Sequence, residues 1–131
     1  MSLDFGILIA HLKFLIFDST NIMAINLKKF PEVFLTLKLN SKLDAYTMVK
    51  VREGKPCRHQ DDRWVIFFEE PWLYFYRTSK FSSIFKAHIE QKGVDYYLDE
   101  VLVDVTNTNL DQTNALETFE DVFNLFLNAQ L

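Results

Sequence analysis

Glycine, proline and cysteine are scarce in this chain, at three, three and one among 131 residues. Gly6, Gly54 and Gly93 stand far apart. Without a glycine cluster the backbone cannot wrap a phosphate, lie against a dinucleotide or present a serine on a strand-to-helix elbow, so chemistries built on those devices are excluded. Cys57 is the only thiol, which rules out an intramolecular disulfide, fits a reducing compartment and leads to the expectation of a cytoplasmic protein. Phe5 to Phe17 is the one apolar run that invites a membrane reading, but it contains His11 and Lys13 and falls short of the ~20 residues a span needs. With Asp4 ahead of it and no small-x-small pattern behind it, the run does not suit a secretory leader; it reads as a buried core element, and no membrane partner is expected.

Positive charge is missing from the last third. Residues 93–131 hold no Lys or Arg and eight carboxylates, whereas residues 1–92 hold all 14 bases and ten acids. A one-sign stretch repels phosphate backbones, and the bases upstream are scattered rather than striped, so nucleic acid is not an expected partner.

What the chain does have is apolar and aromatic mass. Hydrophobic residues make up 49% and charged residues 24%, the balance of a folded domain, and the length is enough to bury roughly two thirds of the unfolded surface. No repeat or linker divides it, so residues 1–131 read as one domain. Thirteen Phe, five Tyr and two Trp must fill much of the core.

The element pattern is helix, strands, helix. Ser2 can cap a helix to about Phe17, on which Asp4, His11 and Asp18 recur along one stripe. Val33 to Asn40 and Ala45 to Arg52 read as an antiparallel pair of strands. Arg63 to Phe68 and Trp72 to Arg77 flank Glu69-Glu70-Pro71 as a hairpin. Ser82 to Lys92 fits a helix stopped by Gly93, although it also alternates well enough for a strand. Val94 to Val105 tilts to strand, with a bulge near Asp99-Glu100 where the inward parity switches. The last element is a helix opened by a capping pair, Asn114 and Glu117, with Leu116, Phe119, Val122, Phe123, Phe126 and Leu127 as its apolar stripe. The expected fold is α+β: an antiparallel sheet of about five strands packed by N-terminal and C-terminal helices.

Candidate chemistry is sparse. Lys55 to Arg63 places Cys57, His59, Asp61 and Asp62 close in sequence, and Lys55, Arg58 and His59 could lower a thiol pKa, yet no third group fixes the imidazole, and a charged loop is the plainer reading. One thiol and three separated histidines do not make a structural zinc site, and neither a metal nor another cofactor is expected. Asp4, His11 and Asp18 are about 10 Å apart per step along a helix, too far for direct contact. Trp72, Tyr74 and Tyr76 share one strand face and could wall a small-molecule pocket or simply fill core.

The reading preferred from these residues is a non-enzymatic protein acting by protein contact, with a partner or as a homodimer, through Glu117, Glu120, Asp121 and Leu125. Leu125 lies about 180° from Leu116 around the helix and is expected at the surface. The alternative is a small-molecule-binding protein or pocket enzyme using Trp72, Tyr74 and Tyr76.

Overall fold

The structure is a computed structural model and describes residues 26–131. The expected helix to Phe17, with Asp4, His11 and Asp18, lies outside the described residues. Strand β1 (Phe34–Leu43) runs into Asp44, whose side chain accepts a hydrogen bond from the Thr47 N–H at 2.8 Å and caps helix α1 (Ala45–Glu53). The helix ends at Gly54, where φ is 67° and the N–H donates to the Lys50 carbonyl. The strand expected over Ala45 to Arg52 is thus corrected to a helix. Its β-branched residues favour a strand only where a sheet offers neighbours. Here a cap at each end and the burial of Met48 and Val51, three apart, select the helix.

Strands β2 (Trp64–Glu69) and β3 (Trp72–Arg77) form the expected hairpin, joined through a cis Glu70–Pro71 peptide bond. A single 3-10 turn, Thr78–Lys80, and Phe81 lead into β4 (Ser82–Lys92). The helix expected over Ser82 to Lys92 is therefore corrected to a strand. Phe85, Ala87 and Ile89 are buried while Lys86, His88 and Glu90 between them are partly exposed, and pairing with a strand on each side outweighs the helical stripe. Gly93 is not a helix stop. With φ at 65° it takes the first central position of the two-residue turn between Lys92 and Asp95, which opens β5 (Asp95–Asp104).

The fold is α+β. All neighbouring strands are antiparallel, in the order β1-β5-β4-β3-β2, so β5 folds back to pair with β1. The bulge expected near Asp99-Glu100 is present: Asp99 has no Cα partner in either ladder, while Leu98 and Glu100 are paired on both sides. Leu98, Val101 and Val103 consequently all reach the main core, and Asp99 and Glu100 are both turned away from it.

Both helices of the described residues pack on one sheet face. Met48 and Val51 from α1, and Ala115, Phe119, Val122 and Phe126 from α2 (Ala115–Leu127), join Ile66, Phe75, Phe85, Ile89 and Val101 in one cluster. The Phe119 ring stands edge-on to Phe75 and Phe85 at 5.5 and 5.3 Å, which places it at the junction of helix and sheet. Two details of α2 depart from expectation. Asn114 gives no side-chain cap; its amide oxygen instead accepts the Asp111 N–H at 2.8 Å, while Asp111 accepts from Thr113 and Asn114, so a preceding turn prepares the helix. The buried stripe centres on Phe119 and Val122, not Leu116, which is 39% exposed. The helix finishes in a Schellman motif, with Gln130 N–H donating to Leu125 O and Ala129 at φ 55°. No helix among the described residues is long and apolar enough to cross a membrane.

Candidate functional site

Where α1 ends, the chain turns sharply and builds one wall of a groove. Lys55 exchanges two backbone hydrogen bonds with Ile66, at 2.7 and 3.0 Å, adding a single rung to the outer edge of β2. Its ammonium reaches the Trp64 carbonyl at 3.0 Å and the Asp62 carboxylate at 3.6 Å. Asp62 also accepts the Arg58 and His59 N–H groups at 2.8 and 3.2 Å, so one carboxylate shapes the whole Arg58–Asp62 turn. Burial alone would raise the Asp62 carboxyl. The Arg58 N–H, the Lys55 charge and the His59 N–H overcome it and hold the group below the usual carboxylate range.

The opposite wall comes from the end of α2. Phe126, Ala129 and Leu131 face Lys50, Glu53, Lys55, Arg58, His59 and Asp62 across a cavity of about 430 Å³. That volume falls within the range of small-molecule sites, roughly 300–1,000 Å³. Lys55 and Asp62 neutralise each other. Lys50, Arg58 and Glu53 form no ion pair among the described residues, and the His59 ring lies beside them. A second hollow of about 380 Å³ lies between the β1–β5 end and α2, lined by Leu39, Leu43, Leu98, Phe119, Glu120 and Phe123.

Cys57 belongs to the same loop but turns inward. It is buried with Leu27, Val65, Phe67, Tyr74 and Tyr76 on the sheet face opposite α1 and α2, and its thiol lies 3.5 Å from the His59 carbonyl. Burial, then the Asp62 charge, push that thiol above its ordinary value against the lowering effect of Lys55, the reverse of what a nucleophile requires. No group of three His, Cys, Asp or Glu among the described residues is arranged to hold a metal ion.

The aromatic face expected from Trp72, Tyr74 and Tyr76 is formed on that second side. Tyr74 stacks on Phe67 at 4.8 Å, and both Tyr74 and Tyr76 are buried, which pushes their phenols up. Trp72 is half-buried, with the Lys86 ammonium 4.5 Å over its ring and the His88 ring 4.8 Å away, edge-on. His88 Nδ1 and Asp99 Oδ1 are 2.7 Å apart. That pair was not found by sequence reading, because it needs β4 as a strand and the Asp99 bulge together. Glu117, Glu120 and Asp121 are exposed on α2, and Leu125, as expected, is at the surface at 39% exposure. No family model, no curated protein and no solved structure matches the chain.

Proposed function

We propose that this domain is a binding module for a small carboxylate with an apolar body, held in the groove between the Gly54–Asp62 loop and the end of α2. The observation that supports this reading is a concave site in which Lys50 and Arg58 have no ion-pair partner among the described residues and face the apolar side chains of Phe126, Ala129 and Leu131. A guanidinium and an ammonium take the carboxylate, and the wall takes the hydrocarbon. It moves the small-molecule alternative from the Trp72, Tyr74 and Tyr76 face to this groove, and the action is binding without catalysis. A cytoplasmic location belongs to the same proposal and rests on the single cysteine.

Thermal shift against short linear mono- and dicarboxylates tests it. A ligand at a hundredfold excess over its Kd stabilises the folded state by about 2.7 kcal/mol. Arg58→Gln and Lys50→Gln should each abolish most of the shift; a series in which no carboxylate moves the midpoint would sink the reading.

A second reading, protein contact through α2, is favoured by one observation: Leu125 is exposed on the acidic side of α2 that carries Glu117, Glu120 and Asp121. A two-fold contact or a basic partner would cover that face. Light scattering at tens of micromolar should then give a dimer mass that Leu125→Lys reduces, and a monomer for the intact chain removes the homodimer.

A further inference from the structure

The second hollow owes its shape to one small residue on β1. Strand β1 sends Leu35, Leu37 and Leu39 to the helix-covered side of the sheet, where all three pack against the main core. Past Lys38 the ladder shifts: Leu39 and Asn40 stand across from Asp99 alone, and Ser41 then pairs with Leu98. Leu98 belongs to the main core, and side chains opposite each other in a ladder share one side of the sheet, so Ser41 takes an inward-facing place between Leu39 and Leu43. A serine there leaves the space a leucine would fill, and it stays exposed while Leu43, two residues on, is buried.

Helix α2 closes the other side with Phe119, Glu120, Phe123 and Asn124, which the helical repeat places on one side of the helix. The Phe119 and Phe123 rings stack 5.6 Å apart and nearly parallel, at 12°, and form a flat aromatic wall across from the leucines of the sheet. The space between, about 380 Å³, is within the range of small-molecule sites. Charge at its rim has one sign. Glu120 is exposed and forms no ion pair among the described residues. No Lys or Arg occurs on α2, and Lys38 and Lys42 of β1 are held by Glu100 and Asp95 at 2.6 and 3.6 Å. Ser41 and Asn124 each bring a neutral oxygen acceptor to the same hollow.

We propose that this hollow binds a small primary amine with an apolar body, its ammonium at Glu120 and its hydrocarbon between the two phenylalanine rings and the leucines of the sheet. An ammonium carries three N–H donors and no acceptor, which matches a rim of one carboxylate and two neutral oxygens. A carboxylate ligand would meet Glu120 as a like charge, so the hollow and the groove select ligands of opposite sign. The two sites share no lining residue, and the amine site does not rest on the carboxylate reading.

Isothermal titration of the full chain with hexylamine, which is charged at neutral pH, and with hexanol beside it tests the proposal. At low salt the amine should bind more tightly than the alcohol, and added salt should narrow the difference. Glu120→Gln, at an exposed position, should weaken the amine about three- to tenfold and leave the alcohol unchanged. Ser41→Leu, also at an exposed position, completes the leucine row and fills the hollow; it should abolish binding of both without lowering the thermal midpoint. Lys50→Gln and Arg58→Gln should leave amine affinity unchanged. Failure of hexylamine to bind, equal affinity for amine and alcohol, binding indifferent to Glu120→Gln or to Ser41→Leu, or binding lost instead in the groove variants overturns the site.

Discussion

Asp62→Ala tests how far one carboxylate holds the groove together. The side chain accepts two backbone N–H groups and pairs with Lys55, and it is only about a fifth exposed. In this partly open loop water takes up the two freed N–H donors, so each hydrogen bond is worth about 1 kcal/mol rather than the upper value for a charged acceptor. The Lys55 pair, at 3.6 Å and partly solvated, adds roughly 0.5 kcal/mol. The expected loss is therefore about 2–3 kcal/mol, or about 10 °C in thermal midpoint for a domain of this length. Asp62→Asn keeps the shape but not the charge and should lose about half as much. Because the folded-state carboxyl is held below its unfolded value, its stabilisation is fully present above the unfolded pKa and is lost as pH falls through the folded one. Urea unfolding of wild type and Asp62→Ala at several pH values should thus show the gap closing in acid. A loss within ~0.5 kcal/mol at neutral pH, or a gap constant down to strong acid, would refute the assignment of Asp62 as the loop's organiser.

Other substitutions probe the frame around the site. Phe119→Ala should cost about 3–5 kcal/mol by chemical denaturation, since its ring meets both Phe75 and Phe85 at the helix–sheet junction, whereas Phe34→Ala, at 42% exposure, should cost under ~1 kcal/mol; similar losses would contradict the packing. Cys57 should react with iodoacetamide near neutral pH more slowly than a free thiol and only on unfolding reach full rate, because burial raises its pKa; rapid labelling of the native protein would contradict this. Ala129→Gly should stabilise by about 0.5–1 kcal/mol, because the left-handed φ of the Schellman position suits glycine; a lower thermal midpoint would show that the end of α2 is held in another way.

The fold class was legible in the sequence, but two elements exchanged roles. Ala45 to Arg52 carries strand formers and is a helix; Ser82 to Lys92 carries a helical stripe and is a strand. In the first case the deciding residues were short-range, Asp44 as cap and Gly54 as stop, and they were present in the sequence to be weighed. In the second the deciding contacts were long-range, since β4 draws its form from β3 and β5 on either side. The Asp99 bulge could be read without any partner, because a change of inward parity within one strand is a local signal.

Sites formed by distant segments follow a different logic. The Lys55 to Arg63 loop stood out by composition, but its groove needs Phe126, Ala129 and Leu131 from the other end of the chain, and no local pattern joins them. The exchange at Ser82 to Lys92 had a larger consequence. While that segment is taken as a helix, His88 lies on an apolar stripe and Ser82 is an end residue; once it is a strand, His88 meets Asp99 and Ser82 stands opposite Arg77. Register carries this information, because a side chain's cross-strand neighbour is set by pairing and not by its own sequence context.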